Sequence, residues 1–216
     1  MAFNYSPKTI TNGLVLYLDA ANTKSYVSGS SNWIDLSRNN LNATLNSTYV
    51  TYDGLGGGSL QFSGNGTTAQ GGSIANSAQY LSSANTVEFA WRAPTLSSGQ
   101  ILCNVYYSYG EGGNVYDKNG NNPNAVSLGW TVNVWNYSTV TFDGSTTTTT
   151  YKNAALVTSR STMDWSGLTG ALPLGARPWA PYTQNFKLGF IKIYNRVLST
   201  TEISQNFNAV KTRFGL

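Results

Sequence analysis

The sequence predicts an all-β fold, a sandwich or a barrel, closed by one short C-terminal helix. Three observations carry this. Short runs with apolar residues at alternate positions recur between Gly- and Asn-rich turns. Only 10% of the 216 residues are charged, and Thr, Ser, Asn and Gly stand in their place, a composition suited to rigid β proteins. The final segment holds the clearest helix signature. The length fits one domain, and 40% hydrophobic content supplies a sizeable core.

The elements follow in order. LVLYLDA (14–20) is the first strand, preceded by a short N-terminal arm (1–12). NATLN (42–46) and SLQFSG (59–64) come next, separated by the flexible DGLGGG. NTVEFAWRA (85–93) sets Val87, Phe89 and Trp91 against Thr86, Glu88 and Arg92, the period of a strand. QILCNVYYSY (100–109) reads as another strand, with Cys103 packed as a small hydrophobe. VSLGWTVNVW (126–135) puts Trp130, Val132 and Val134 on one face. STVTFDGSTTTTTYKNAALV (138–157) reads as a hairpin turning at Asp143-Gly144, and the threonines at 146–150 form an exposed return strand. The last strand alternates Gly189, Ile191 and Ile193 with Lys192 and Tyr194, as a half-buried strand does. Ser199 and Glu202 then form a capping box. Ile203, Phe207 and Val210 share a helical face. Lys211, Arg213 and Gly215 are stop signals, so the helix covers 200–213.

Composition also excludes. One cysteine permits no intrachain disulfide, and without any histidine there is no Cys–His or Ser–His pair and no His-type metal site. The net charge of +4 comes from scattered basic residues, whereas a nucleic-acid footprint clusters them. No run of 18 apolar residues exists, so no membrane-inserting helix is expected. The start, MAFNYSPKTITNG, lacks the charged and apolar regions of a signal peptide.

Two long loops are the candidate contact surfaces. GEGGNVYDKNGNNPN (110–124) follows a tyrosine cluster, and TGALPLGARPWAPYTQN (169–185) is rich in proline. Tyr107, Tyr109, Tyr116, Trp179 and Tyr182 are the residues that would stack on sugar rings, and Arg177 joins them as a contact residue. The competing reading is of surface connectors whose aromatics fold onto the body. Calcium is a secondary expectation. Asp117, Asn119 and Asn121 offer oxygen ligands, but Leu128 stands where a twelfth-position glutamate would. A turn is therefore preferred, and no cofactor is expected.

GLVLYLDAANTKSY (13–26), NWIDLSRNNLNATL (32–45), SLQFSGNGT (59–67), YKNAALV (151–157) and GFIKIYNRVLSTTEISQNFNAVKTRFGL (189–216) together resemble the concanavalin A-like lectin/glucanase superfamily in its laminin-G-like form. They are most similar to the copies found in structural proteins of tailed phages, marine phages especially. The resemblance implies a jelly-roll sandwich of two antiparallel sheets, spanning 13–216, with the short helix packed against it. It implies that Trp33 and Leu36 plug the sandwich edge and that Asp35 braces a loop. YKNA would be a tight turn, with Ala154 where the family usually has glycine. DLSRNN likewise departs from the usual Asp-Leu-Ser-Gly-Asn.

Glucanases of the superfamily carry a Glu-x-Asp-x-x-Glu pattern on one strand face, as paired-carboxylate chemistry requires. Here Glu88, Glu111 and Glu202 are far apart, Glu88 lacks partners two or four residues on, and Glu202 is a capping residue. The resemblance therefore implies a non-enzymatic virion subunit, a capsid decoration or a tail appendage. It would be made in the host cytoplasm, contact other virion proteins and form a homo-oligomer such as a trimer. The alternative is a fibre-tip adhesin binding a host-surface glycan. A glycoside hydrolase ranks third.

Overall fold

The computed structural model describes residues 7–66, 71–95, 102–104, 107–111, 113–117, 125–175 and 182–216. In order they form β1 (Leu14–Asp19), β2 (Asn32–Trp33), β3 (Ala43–Leu45), β4 (Val50–Asp53), β5 (Ser59–Gly66), β6 (Gly72–Ile74), β7 (Asn85–Arg92), β8 (Leu102–Asn104), β9 (Tyr107–Glu111), β10 (Asn114–Tyr116), β11 (Val126–Ser127), β12 (Asn136–Phe142), β13 (Thr148–Lys152), β14 (Ala155–Arg160), β15 (Leu172–Leu174), β16 (Tyr182–Tyr194) and α1 (Thr200–Phe214). The strands make two antiparallel sheets. The first runs β14-β13-β12-β7-β16-β5-β4, with β1 also on β16, and the second runs β11-β10-β9-β8-β15-β6-β3-β2.

The long β16 organises the first sheet. β7 lines one edge of it. β5 and β1 share the other edge, β5 along residues 182–188 and β1 along 190–194. Between the sheets, Leu16, Leu18, Phe62, Phe89, Trp91 and Ile191 meet Trp33, Ile74, Leu172 and Leu174 in one buried core. Asp35 braces the loop beside Trp33, its carboxylate accepting from the backbone N–H groups of Tyr17 (2.9 Å), Ser37 (2.8 Å) and Leu41 (3.1 Å).

The outer face of the first sheet is covered as well. Helix α1 begins with the expected capping box, Ser199 Oγ accepting from Glu202 N–H and Glu202 Oε2 accepting from Ser199 N–H at 2.9 Å. Gly215 ends it in the left-handed conformation, φ +67°. Phe207, Val210 and Phe214 pack onto Ala90, Tyr137 and Phe190. Arg213 ties the helix end to the sandwich, donating to Asp19 Oδ1 (2.7 Å), Gly56 O (2.7 Å) and Gly58 O (2.6 Å). Residues 8–12 of the expected arm are bound to the same assembly. Ile10 N–H donates to Asn206 Oδ1, Gln205 Nε2 to Lys8 O, and Arg196 Nε to Asn12 O.

This second cover changes the reading of β7 and β16. The alternation in β16 predicts a half-buried strand, yet Lys192 and Tyr194 on its polar face, like Thr86 and Glu88 on that of β7, are wholly inaccessible. The alternation does mark two faces, but the polar one lies beneath α1 rather than in water. The strand expected over 100–109 is two paired strands, β8 and β9, with Leu102 opposite Tyr109 and Asn104 opposite Tyr107.

Strand structure in 126–135 stops at Ser127. Gly129 (φ +62°) and Asn133 (φ +61°) turn the backbone, and the Asn136 amide builds the loop by bonding Thr131 N–H, Thr131 O and Val134 O. Trp130 folds inward onto Trp91, ring centroids 4.6 Å apart, while Val132 and Val134 face solvent. The threonine run also differs from expectation. Thr148 and Thr150 are buried in β13, where their hydroxyls bond Trp165 Nε1 and Ser127 O.

The turn of YKNA keeps the family geometry without the glycine. Asn153 (φ +52°) and Ala154 (φ +65°) are both left-handed. Asn153 is held there by accepting from Tyr137 N–H and donating its own N–H to Tyr137 O. A left-handed alanine is strained by about 1 kcal/mol. Ala154→Gly is therefore expected to raise stability by about 0.5–1 kcal/mol, seen as a higher urea midpoint with unchanged slope. A lower midpoint would mean that the methyl group's packing outweighs the strain.

Candidate functional site

Helix α1 covers only part of the first sheet's outer face. It ends with Phe214 over Gly189, where a Cβ on Gly189 would come within 2.7 Å of the ring. Beyond Gly189 the face opens into a groove of about 370 Å3. Cross-strand register sets its centre, because Gln61 of β5, Lys187 of β16 and Arg92 of β7 stand in one row. Asn185 and Asn133 add amides, and Leu55 and Pro94 form apolar walls. Phe186 also borders the groove, but its ring is on the opposite face of β16 from Lys187, stacked on Phe62 at 4.7 Å in the core between the sheets.

The polar groups are arranged unevenly. Lys187 is ion-paired with Asp53. The Lys187 bond, with help from the Leu55 N–H, holds the Asp53 carboxyl below the usual carboxylate range. Gln61 Nε2 donates to Phe62 O (2.8 Å), Asn185 Oδ1 (3.0 Å) and Phe186 O (3.3 Å). That leaves Gln61 Oε1 and Asn185 Nδ2 as an acceptor and a donor facing the groove. Arg92 is half-buried and, among the described residues, its guanidinium makes no hydrogen bond or ion pair. The groove thus offers amides, one uncompensated cation and an apolar ledge, a set suited to holding a polyhydroxylated molecule.

The loop residues singled out from sequence divide. Tyr107 and Tyr109 lie on β9 and Tyr116 on the adjacent β10, with Tyr109 opposite Val115 and Tyr116 opposite Ser108. These three lie on adjacent strands of the second sheet, Tyr116 in register with Ser108 rather than with either tyrosine of β9. Tyr182 opens β16 on the other sheet, opposite Gly66. Arg177, Trp179, Asn119 and Asn121 lie outside the described residues. Asp117 is fully buried, and its Oδ2 accepts from Asp164 N–H at 2.9 Å, a loop-bracing contact. Among the described residues, no three acidic or thiol side chains gather as metal ligands.

Glu88 is the carboxylate on which hydrolysis would rest. It sits under α1, fully buried, in a row Tyr17–Lys192–Glu88–Thr139–Tyr151 across five strands. Its Oε2 is 3.9 Å from Lys192 Nζ and accepts from Asn206 Nδ2 at 2.9 Å. The Tyr137 and Thr139 hydroxyls lie beside its carboxyl. Burial pushes the Glu88 pKa up to about 7, against the opposing pull of Lys192. A raised carboxyl pKa often marks a general acid, but here helix and sheet close over the group and leave a substrate no path.

Two eight-stranded antiparallel sheets, a helix capping the outer face and an amide-lined groove define a lectin-like β-sandwich. The chain belongs to the concanavalin A-like lectin/glucanases superfamily, whose laminin-G-type model matches residues 72–204. Solved structures show the same fold. Trypanosoma rangeli sialidase in complex with 2,3-difluorosialic acid aligns over 93% of this chain and 33% of its own, at 16% identity and a TM-score of 0.65. The binding domain of Paraclostridial mosquitocidal protein 1 aligns over 92% of this chain and 52% of its own, at 20% identity and a TM-score of 0.61. The binding domain of botulinum neurotoxin DC in complex with SialylT aligns over 94% and 52%, at 12% identity and a TM-score of 0.65. The chain thus spans a third to a half of the structures it matches. No curated protein sequence matches it.

The groove left no local signal in the sequence. Its central residues, 61, 92 and 187, are brought side by side only by strand register. Arg92 reads as an ordinary solvent-face position of an alternating strand.

Proposed function

We propose that this chain is a non-enzymatic recognition module that binds a glycan in the groove between Gln61, Arg92, Asn133 and Asn185. The observation that carries this is the set of unengaged hydrogen-bonding groups in the part of the sheet that α1 leaves open. The superfamily and the saccharide complexes among its structural neighbours support the class of ligand. The closed burial of Glu88 supports binding without turnover.

The test is a glycan array followed by titration of the ligands it finds. Asn185→Ala is expected to weaken binding by about tenfold, the worth of a good buried hydrogen bond. Binding untouched by Asn185→Ala but abolished by Trp179→Ala or Tyr182→Ala would move the site to the proline-rich loop and overturn the groove assignment.

The segments that resemble tailed-phage structural proteins favour a second, compatible reading of where the module works. In it the chain is a decoration or appendage subunit of a virion, made in the host cytoplasm and assembled as a homo-oligomer such as a trimer. Saturable binding to particles lacking the protein supports that placement. Absence of binding to capsids and tails alike counts against it.

A further inference from the structure

The groove's charge distribution says more about its ligand than its shape does. Two cations line it, but only one is available. Lys187 is held by Asp53, which is also fixed by the Leu55 N–H at 2.7 Å. Arg92 stands next to Lys187 across the strand pair, half-buried, with no hydrogen bond or ion pair of its own among the described residues. Asp53 lies close enough for Arg92 to help depress its pKa, yet it is bonded to Lys187 instead. A partly desolvated guanidinium without an anion is an unfinished interaction. Its planar fork fits two coplanar oxygens, the geometry of a carboxylate. One uncompensated positive charge matches a monoanion better than a phosphate group or a polysulfated chain, which call for several free cations. The flanking Gln61 Oε1, Asn185 Nδ2 and Asn133 amide suit ring hydroxyls, and Pro94 and Leu55 suit an apolar sugar face.

We propose that the groove selects acidic saccharides, with Arg92 clasping the carboxylate of a uronic- or sialic-type sugar and the amides reading its hydroxyls. This rests on the glycan-binding reading and narrows its ligand class. The net charge of +4 favours the approach of such ligands.

The experiment compares each acid with its own uncharged form. Sialyllactose and trigalacturonate are titrated against the wild-type protein by calorimetry, each beside its carboxyl methyl ester, at low and high salt. At least one acid is expected to bind about tenfold tighter than its ester, with affinity falling as salt rises. Arg92→Gln is expected to remove that advantage, so that acid and ester bind alike. Among the described residues Arg92 makes no side-chain hydrogen bond or ion pair, so an unaltered thermal melt is the folding control. Equal binding of acid and ester overturns the acid selectivity and leaves the glycan reading standing. Absence of binding by every acid and ester overturns both. Acid selectivity that survives Arg92→Gln overturns Arg92 as the anchor.

Discussion

Glu88→Ala is expected to remove about 3–5 kcal/mol of folding stability, measured as the shift in urea midpoint at pH 7. Glu88 is the hinge of a polar layer sealed between the first sheet and α1. It is the acidic partner of Lys192, equally inaccessible, and the acceptor for the Asn206 amide of the helix. Without it, Lys192 keeps a 3.3 Å contact to Thr9 Oγ1, the faces of the Tyr17 and Phe190 rings, 5.1 and 4.9 Å away, and the weaker pull of the Asp19 charge. The ammonium must then stay charged in an apolar setting or lose its proton against a usual pKa of 10.5. The shortened side chain also leaves a void under the helix.

Lys192→Met is expected to cost less, by about 2 kcal/mol, although it breaks the same pair. The asymmetry follows from protonation. With a pKa near 7, Glu88 is already half-neutral at pH 7 and completes that change cheaply when the cation is gone. Methionine also keeps most of the volume of the lysine stem. Equal losses in the two variants would mean that packing, not charge, holds the helix to the sheet.

How far the sequence could be read follows the range of each signal. The capping box, the left-handed Gly215 and strands β1, β5 and β7 are written in neighbouring residues, and their positions agree with the structure to within a few residues, whereas β16 begins at Tyr182, inside the segment that reads as a proline-rich loop. The loop after β11 was misread because Trp130, Val132 and Val134 happen to alternate. Gly129, Asn133 and the Asn136 side chain decide the backbone there, and a period-two count does not weigh them. The buried polar layer was hidden for a different reason. Nothing within β7 or β16 says that the C-terminal helix will fold back over their polar faces. The groove is less legible still, since it is created where that helix ends. The tyrosines at 107, 109 and 116 lie on adjacent strands, but Tyr116 is in register with Ser108 rather than with Tyr107 or Tyr109. The arginine that stands unengaged in the sheet carried no local mark.

Acidification from pH 7 to about pH 5 is expected to stabilise the protein. The cause is the displacement of the Glu88 pKa from 4.5 to about 7 on folding, driven by burial. Between those values the folded state holds a proton that the unfolded state releases, so stability falls as pH rises through this window. The contribution is fully present below pH 4.5, is lost as pH passes about 7, and amounts to about 3 kcal/mol. The other shifted carboxyls act elsewhere. Glu202, held down to about 2 mainly by Arg196, and Asp53, held down by Lys187, lend stability that is lost only as pH falls below the ordinary carboxylate range. Lys192, pushed down by burial, acts on the alkaline side and restores stability as pH climbs toward 10.5. A maximum near pH 5 is therefore expected, from urea midpoints taken at half-unit steps. Glu88→Gln, which keeps the shape and removes the titration, should flatten the curve between pH 5 and 7. A wild-type curve that is flat or rising over that interval would mean that Glu88 is ionised in the folded protein and that the pair with Lys192 is a full ion pair.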